Sequence, residues 1–187
     1  HWGSEVLVAA CAVVTNLQTI VSRRISPTDI AVVSVTELVT DGGRNTLPGT
    51  ARVSGDARSF KMPVSELIEK QMRIIAGSTA AAYNVEADVE YTRDFIPLVN
   101  DAVLVKEVVA AAETFLPKEN VQLIDEPPTG SEDFAQFLNH VPGCFINLGN
   151  GEKSAPLHNP AFDFNDASLV YGVKTHAAIA RRRLPIA

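Results

Sequence analysis

Three groups of side chains have the types and spacing that chemistry needs. The first is Leu157-His158-Asn159-Pro160-Ala161-Phe162-Asp163-Phe164, one imidazole in a run too rich in turn residues for a helix interior. Pro160 fixes its own φ and keeps Asn159 out of the α region, so the backbone just beyond His158 is restricted. A held imidazole is what a metal site uses. The second is Ser131-Glu132-Asp133-Phe134, two adjacent carboxylates at a helix start after Gly130. Either Ser131 or Asp133 caps that helix and the acids favour its dipole, or Glu132 faces the pocket of His158. The third is Asn45, in the turn Asn45-Thr46-Leu47-Pro48-Gly49, with Arg58 on the polar face of a following strand. Asparagine suits a turn for backbone reasons. Arg58 is either a solvated or paired charge or a guanidinium that clamps a substrate carboxylate, and spacing does not decide between them.

The other histidines add little: His140 follows a helix, His176 lies within one and His1 is terminal. No HExxH, paired Cys-x-x-Cys, P-loop or Gly-x-Ser-x-Gly occurs. A metal centre takes three or four ligands and a dinuclear one more, so His158 needs partners beyond those this sequence offers.

These groups must be positioned by elements that the apolar pattern outlines. Leu7, Ala10, Val14, Leu17 and Val21 form one stripe of a helix over residues 5–23, with Val6, Val13 and Ile20 beside it. That apolar arc is wide, which points to a second buried contact. Ile30 to Leu38 reads as a strand, and Ala51, Val53 and Ala57 alternate with polar residues in another. Pro63 opens a helix carried by Val64, Leu67, Ile68, Met72 and Ile75. Ala87, Val89 and Tyr91 alternate with Asp88, Glu90 and Thr92, predicting a third strand. One strand ahead of Glu5 would complete a split βαβ domain, a four-stranded sheet covered by two helices, so the order reads as a domain entered after its first strand.

The pattern breaks at Pro97, which divides the chain into 1–97 and 98–187. The second part reads as an α/β segment, with a helix over 104–115, a strand over 121–124, a helix over 133–139, a buried strand over 144–148 and a last helix over 167–183. Two strands make a narrow sheet, so this segment is expected to complete a larger one.

Composition bounds the function classes. A chain of 187 residues with 46% hydrophobic and 20% charged residues is globular, large enough to bury about two thirds of its unfolded surface. The net charge of -6, from 16 basic and 22 acidic residues, opposes non-specific nucleic-acid binding. The apolar run from Val6 to Val14 is too short to span a bilayer and lacks a basic leader, so neither a membrane helix nor a signal peptide is expected. Cys11 and Cys144 give no disulfide framework, which points to a reducing compartment, the cytoplasm.

The combination of the His158 segment with Gly130-Ser131-Glu132-Asp133-Phe134, Val141-Pro142-Gly143 and Leu148-Gly149 closely resembles the C-terminal part of the zinc-dependent aminoacylase and carboxypeptidase family. The nearest branch is that of hippurate hydrolases, N-acyl-L-amino-acid amidohydrolases and auxin-conjugate hydrolases. Leu17-Gln18-Thr19-Ile20-Val21-Ser22-Arg23, Gly43-x-Asn45-x-x-Pro48 and Gly55-x-x-Arg58 resemble the lid, or dimerisation, domain of that family. The resemblance implies a lid over 1–97 followed by the C-terminal segment of a catalytic domain. It implies that His158 ligates one metal of a dinuclear centre, with two divalent ions, zinc or manganese. Asn45 and Arg58 then bind substrate, and Glu132 and Asp133 line the metal pocket. The family's other ligands and its general base precede the lid and have no counterpart here, so no catalytic base is assigned.

The implied activity of the intact enzyme is hydrolysis of the amide in N-acyl amino acids or small dipeptide-like substrates. The implied assembly is a homodimer through the lid. On this resemblance the chain alone is expected to be an inactive C-terminal fragment that holds no metal tightly. The competing readings are a non-catalytic homodimerisation module and a dipeptidase or deacylase of a metabolic intermediate.

Overall fold

The computed structural model describes residues 3–184; His1 lies outside them. The chain divides into two compact units between Pro97 and Leu98. In the first, α1 (Val6–Leu17) precedes a single π-helical turn (Ile20–Arg24), then β1 (Ala31–Thr40), β2 (Ala51–Ser59) and α2 (Met62–Ala82). The small residues Ala9 and Ala10 of α1 and Ala76 and Ala80 of α2 are all buried, and α1 and α2 are neighbours. Alanine lets two helix backbones approach without a side-chain layer between them. Asn16 Nδ2 donates to Thr79 Oγ1 at 3.1 Å across this contact. Below it, Leu17, Ile20, Val33, Val64 and Ile68 form the core that joins helices to sheet. Ile20 and Ile68 are fully buried, each contributing about 2 kcal/mol by removal from water.

The first helix is shorter than the apolar stripe predicts. Regular α geometry ends at Leu17, and the π turn carries Ile20 into the core. Hydroxyls supply a local cause: Thr15 Oγ1 donates to the Cys11 carbonyl, Thr19 Oγ1 to that of Asn16 and Ser22 Oγ to that of Gln18. Such back-bonding competes with the helical ladder and bends it.

β1 and β2 pair antiparallel from Ala31–Ser59 to Thr40–Ala51, with the register broken between Val35 and Glu37. A Cβ on Gly55 would overlap the Ser34 carbonyl oxygen, so the close approach at this bulge requires glycine. The architecture is a mixed α+β one with a two-stranded sheet among the described residues, where three strands of a four-stranded sheet were expected within this chain. The third predicted strand, over 87–91, pairs with nothing among the described residues. Its alternation holds over 88–91, with Val89 and Tyr91 half-buried and Asp88 and Glu90 exposed, while Ala87 is exposed against expectation. Side chains hold it in place of a ladder. Arg73 Nη1 donates to the Val89 carbonyl, Arg93 pairs with Glu69, and the Arg93 guanidinium stacks 5.1 Å over the Tyr91 ring.

The second unit contains α3 (Ala102–Ala112), the short α4 (Ala135–Leu138) and α5 (Leu169–Arg183), the last entered through a 3-10 turn at Asp166–Ser168. Asp101 caps α3, its Oδ1 accepting from the Val103 and Leu104 amides at 2.9 Å. α3 packs on α5, with Ala111, Ala112 and Thr175 buried. An Arg183–Glu107 ion pair of 2.7 Å spans the two helices. Neither strand expected here forms: 121–124 and 144–148 pair with no strand among the described residues. Around Phe145 a side chain takes the place of a strand, since the Asn100 carboxamide bonds both its amide and its carbonyl. Ile146 and Leu148 are exposed, not core.

Candidate functional site

His158 sits at the third position of a turn closed by the Asn159 amide donating to the Pro156 carbonyl at 3.1 Å. Its φ is 66°, the left-handed region, and its side chain is exposed. Only a minority of non-glycine residues adopt this backbone, histidine among the more tolerant. Such an outlier must be held by its surroundings. A second turn follows at once, the Phe162 amide donating to the Asn159 carbonyl at 2.9 Å, while Asn159 Oδ1 accepts from the Ala161 amide. Asn159-Pro160 therefore determines the backbone on the far side of the imidazole, as its sequence implies.

Sequence reasoning missed the base of this loop. Asn150 Oδ1 accepts from the Asn165 amide at 2.7 Å, and its Nδ2 donates to Ser154 Oγ at 2.6 Å and to the Asp163 carbonyl at 2.8 Å. Asn165 Nδ2 donates to the Asn150 carbonyl at 3.3 Å, and Asn165 Oδ1 accepts from the Ala167 amide. Gly151, at φ 107°, turns the chain away from this clamp. The available signal was Asn165, an N-cap residue type just before the last helix.

Glu132 and Asp133 lie beside α4. Glu132 is half-buried, and its Oε1 accepts from the Phe134 amide at 3.0 Å; Asp133 is exposed. The expectation that Ser131 or Asp133 caps the helix is thus corrected: α4 has no side-chain cap, and the longer Glu132 reaches the turn ahead of it. Phe134 fixes this turn by packing on Phe137 and Phe145, at ring-centre distances of 5.7 and 5.6 Å. Cys144 is partly enclosed nearby, and burial pushes its thiol above the usual range.

In the first unit, Asn45 and Arg44 form the exposed tip of the β1–β2 hairpin, between Gly43 and Thr46, whose amides and carbonyls pair reciprocally at 3.1 and 3.2 Å. Asp41 Oδ1 accepts from the Thr50 amide at 2.9 Å below the tip, which holds its carboxyl below the usual range. Pro48 is buried and would meet any side chain placed on Gly42. Arg58 lies on the exposed face of β2, with Nε 2.6 Å from Asp56 Oδ2. Of the two readings of Arg58, the geometry contains the paired one. Asn45 and Arg58 belong to the first unit and Glu132, Asp133 and His158 to the second.

Among the described residues no three His, Cys, Asp or Glu side chains converge on one point. The donor set therefore fits a metal only in part. His158 offers one exposed nitrogen ligand on a fixed turn, and a dinuclear site takes several more donors.

The model of peptidase family M20/M25/M40 matches residues 3–182, and the chain belongs to this family. It is similar to the N-acetyl-L-cysteine deacetylase of Bacillus subtilis, 30% identical over 91% of this chain and 40% of that protein. It is likewise similar to the N-acetyldiaminopimelate deacetylase of Streptococcus pneumoniae, 30% identical over 98% of this chain and 48% of that protein. A solved structure, the Bacillus subtilis YxeP protein, described as a dinuclear metal-binding peptidase from the M20 family, aligns with a TM-score of 0.79 at 25% identity, over 97% of this chain and 47% of that one. The chain thus spans about half the length of the curated relatives it matches.

These matches correct the resemblance drawn from motifs. The family is M20/M25/M40, and its match runs through both units as one stretch, not as a lid and a C-terminal piece of an aminoacylase or carboxypeptidase. Membership supports a hydrolase function. No helix among the described residues is long and apolar enough to cross a membrane.

Proposed function

We propose that the whole protein is a metal-dependent amidohydrolase that cleaves the amide bond of N-acyl amino acids or small dipeptide-like substrates. The observation that carries this reading is His158, an exposed imidazole held at positive φ between two closed turns, in a chain of the M20/M25/M40 family. His158 supplies one nitrogen donor of a centre of two divalent ions, zinc or manganese. When bound, those ions polarise the amide carbonyl and activate water. Asn45, at the hairpin tip, presents a carboxamide that can both donate to and accept from an acylated amino acid. Arg58 orients the substrate carboxylate in competition with Asp56, its present partner. Glu132 and Asp133 line the pocket, with Glu132 also fixing the turn into α4. The two deacetylase relatives favour an acetyl group as the acyl part.

The unit of residues 1–97 serves homodimerisation, and that of residues 98–187 carries the candidate ligand His158. The dimer surface is the exposed apolar face of α1, at Leu7 and Val8, beside β1, whose second edge is unpaired among the described residues. Ala10, in contrast, is buried against the fold, so a charge there would test folding and Leu7→Asp is the sharper probe of association. The free thiols Cys11 and Cys144 suit the cytoplasm.

The test is release of the acyl acid by the full-length protein, stripped of metal and reloaded with zinc or manganese: acetate from N-acetylcysteine and N-acetyldiaminopimelate, and benzoate from N-benzoylglycine. Metal-dependent hydrolysis that falls at least about a hundredfold in His158→Ala is expected. Absence of hydrolysis with either metal across these substrates, alongside a dimer that Leu7→Asp dissociates, would favour a non-catalytic dimerisation module.

A further inference from the structure

We propose that Asn150 and Asn165 are positioning residues, which hold His158 in the one backbone state that presents its imidazole as a ligand. The inference rests on the reading of His158 as a metal ligand given above. His158 lies eight residues after Asn150 and seven before Asn165, so it has no sequence neighbour in common with either. It nevertheless belongs to a loop whose two ends are tied by their reciprocal contacts, the Asn165 amide on Asn150 Oδ1 at 2.7 Å and Asn165 Nδ2 on the Asn150 carbonyl at 3.3 Å. A compact loop closed at its base is the form that presents a functional residue at its crown.

The constraint passes inward by consecutive hydrogen bonds. Asn150 Nδ2 fixes the Asp163 carbonyl, the preceding residue Phe162 donates its amide to Asn159, and Asn159 closes the turn that carries His158. On the other arm, Asn150 Nδ2 also reaches Ser154 Oγ, and the Ser154 amide returns to the Gly151 carbonyl. Ser168 Oγ adds a bond to the Gly149 carbonyl just outside the clamp. No free run of backbone longer than a few residues remains on either side of the turn. A ligand fixed before the ion arrives loses little freedom on binding it, and groups that orient a ligand contribute to affinity without touching the metal.

The experiment is zinc affinity of the full-length protein, measured by competition with a chromophoric chelator, together with the visible spectrum of the cobalt-loaded form. The variants are Asn150→Ala, Asn165→Ser, His158→Ala and the Asn150→Ala/His158→Ala double. Serine at 165 keeps an oxygen able to cap the 3-10 turn and removes the Nδ2 donor, so it separates clamping from capping. Asn150→Ala is expected to weaken zinc binding by about 10- to 100-fold and to shift the cobalt bands, with far-UV circular dichroism unchanged. The double variant is expected to bind no more weakly than His158→Ala, because the clamp acts through that imidazole. If His158→Ala loses affinity while Asn150→Ala and Asn165→Ser bind zinc as the wild type does, the positioning role is overturned and the ligand role of His158 stands. If His158→Ala itself binds as the wild type does, the ligand reading fails and the inference goes with it. Should Asn150→Ala not fold, Asn150→Asp, which keeps the acceptor for the Asn165 amide and removes the Nδ2 donor to Ser154 and the Asp163 carbonyl, is read by the same criteria.

Discussion

Asn100 grips the peptide of Phe145 from both sides, its Nδ2 donating to the Phe145 carbonyl at 2.9 Å and its Oδ1 accepting from the Phe145 amide at 2.8 Å. The residues stand 45 positions apart, and the contact fixes the segment leading from α4 toward the His158 loop without any sheet ladder. The Asp101 amide adds a further bond to the Gly143 carbonyl.

Truncating this clamp leaves two partly buried backbone groups unpaired. Asn100→Ala is expected to lower stability by about 1–3 kcal/mol, read as a lower urea midpoint with an unchanged slope. Asn100→Asp keeps the acceptor for the Phe145 amide and is expected to fall between the two.

Glu69 receives Arg73 at 2.8 Å and Arg93 on its other oxygen, and Arg73 also holds the Val89 carbonyl. The Arg73 hydrogen bond is the main reason its carboxyl lies below the usual range, with Arg93 adding to it against the effect of burial. Glu69→Gln is expected to speed amide exchange several-fold across residues 89–93 while leaving α2 protected, since exposed ion pairs order a segment more than they stabilise a fold. Uniform exchange in wild type and variant would show that the segment is held without the Glu69 ion pairs, by Tyr91 packing and the Arg73 bond to the Val89 carbonyl.

Asp41 gives the hairpin tip a dependence on pH. The Thr50 amide is the largest cause of its lowered pKa. A carboxylate whose folded value lies below its unfolded one contributes stability that is complete above the ordinary value of 3.8 and is lost as pH falls through the lowered folded value. The Thr50 amide resonance should therefore hold its position down to about pH 3.8 and move below it. Asp41→Asn should abolish that titration.

The left-handed backbone of His158 makes a separate prediction about folding. Glycine tolerates φ near 66° and alanine does not. His158→Gly is expected to be more stable than His158→Ala by about 1 kcal/mol, measured by urea unfolding, although both lose the imidazole.

The helix α2 was legible in the sequence because it presents a stripe to a buried partner. Val64, Ile68 and Ala76 recur at helical spacing along α2 and all three are buried. Strand pattern was legible at β1 and β2, and misleading at 87–91 and 144–148. Alternation reports which side of an extended segment is covered, and it carries no information on what satisfies the backbone. Arg73 and Asn100 do so in those two segments, from 16 and 45 residues away. The same limit applies to the site. Asn159-Pro160 announces a turn locally, whereas the Asn150–Asn165 clamp joins residues 15 apart through side chains that read as ordinary loop asparagines. Family motifs singled out His158 and named too narrow a family for the chain.

The β1–β2 ribbon has a mechanical meaning. Its base is fastened to the core through Val33 and Ala57, while Leu47 and Asn45 near the tip stand in solvent. Ten strand residues extend about 33 Å, so a pivot of about 5° at the base carries the tip through about 3 Å, the length of a hydrogen bond. Asn45 therefore rides on a lever arm. Substitutions at its fulcrum, near Val33, would alter the reach of that carboxamide without changing a single residue around it.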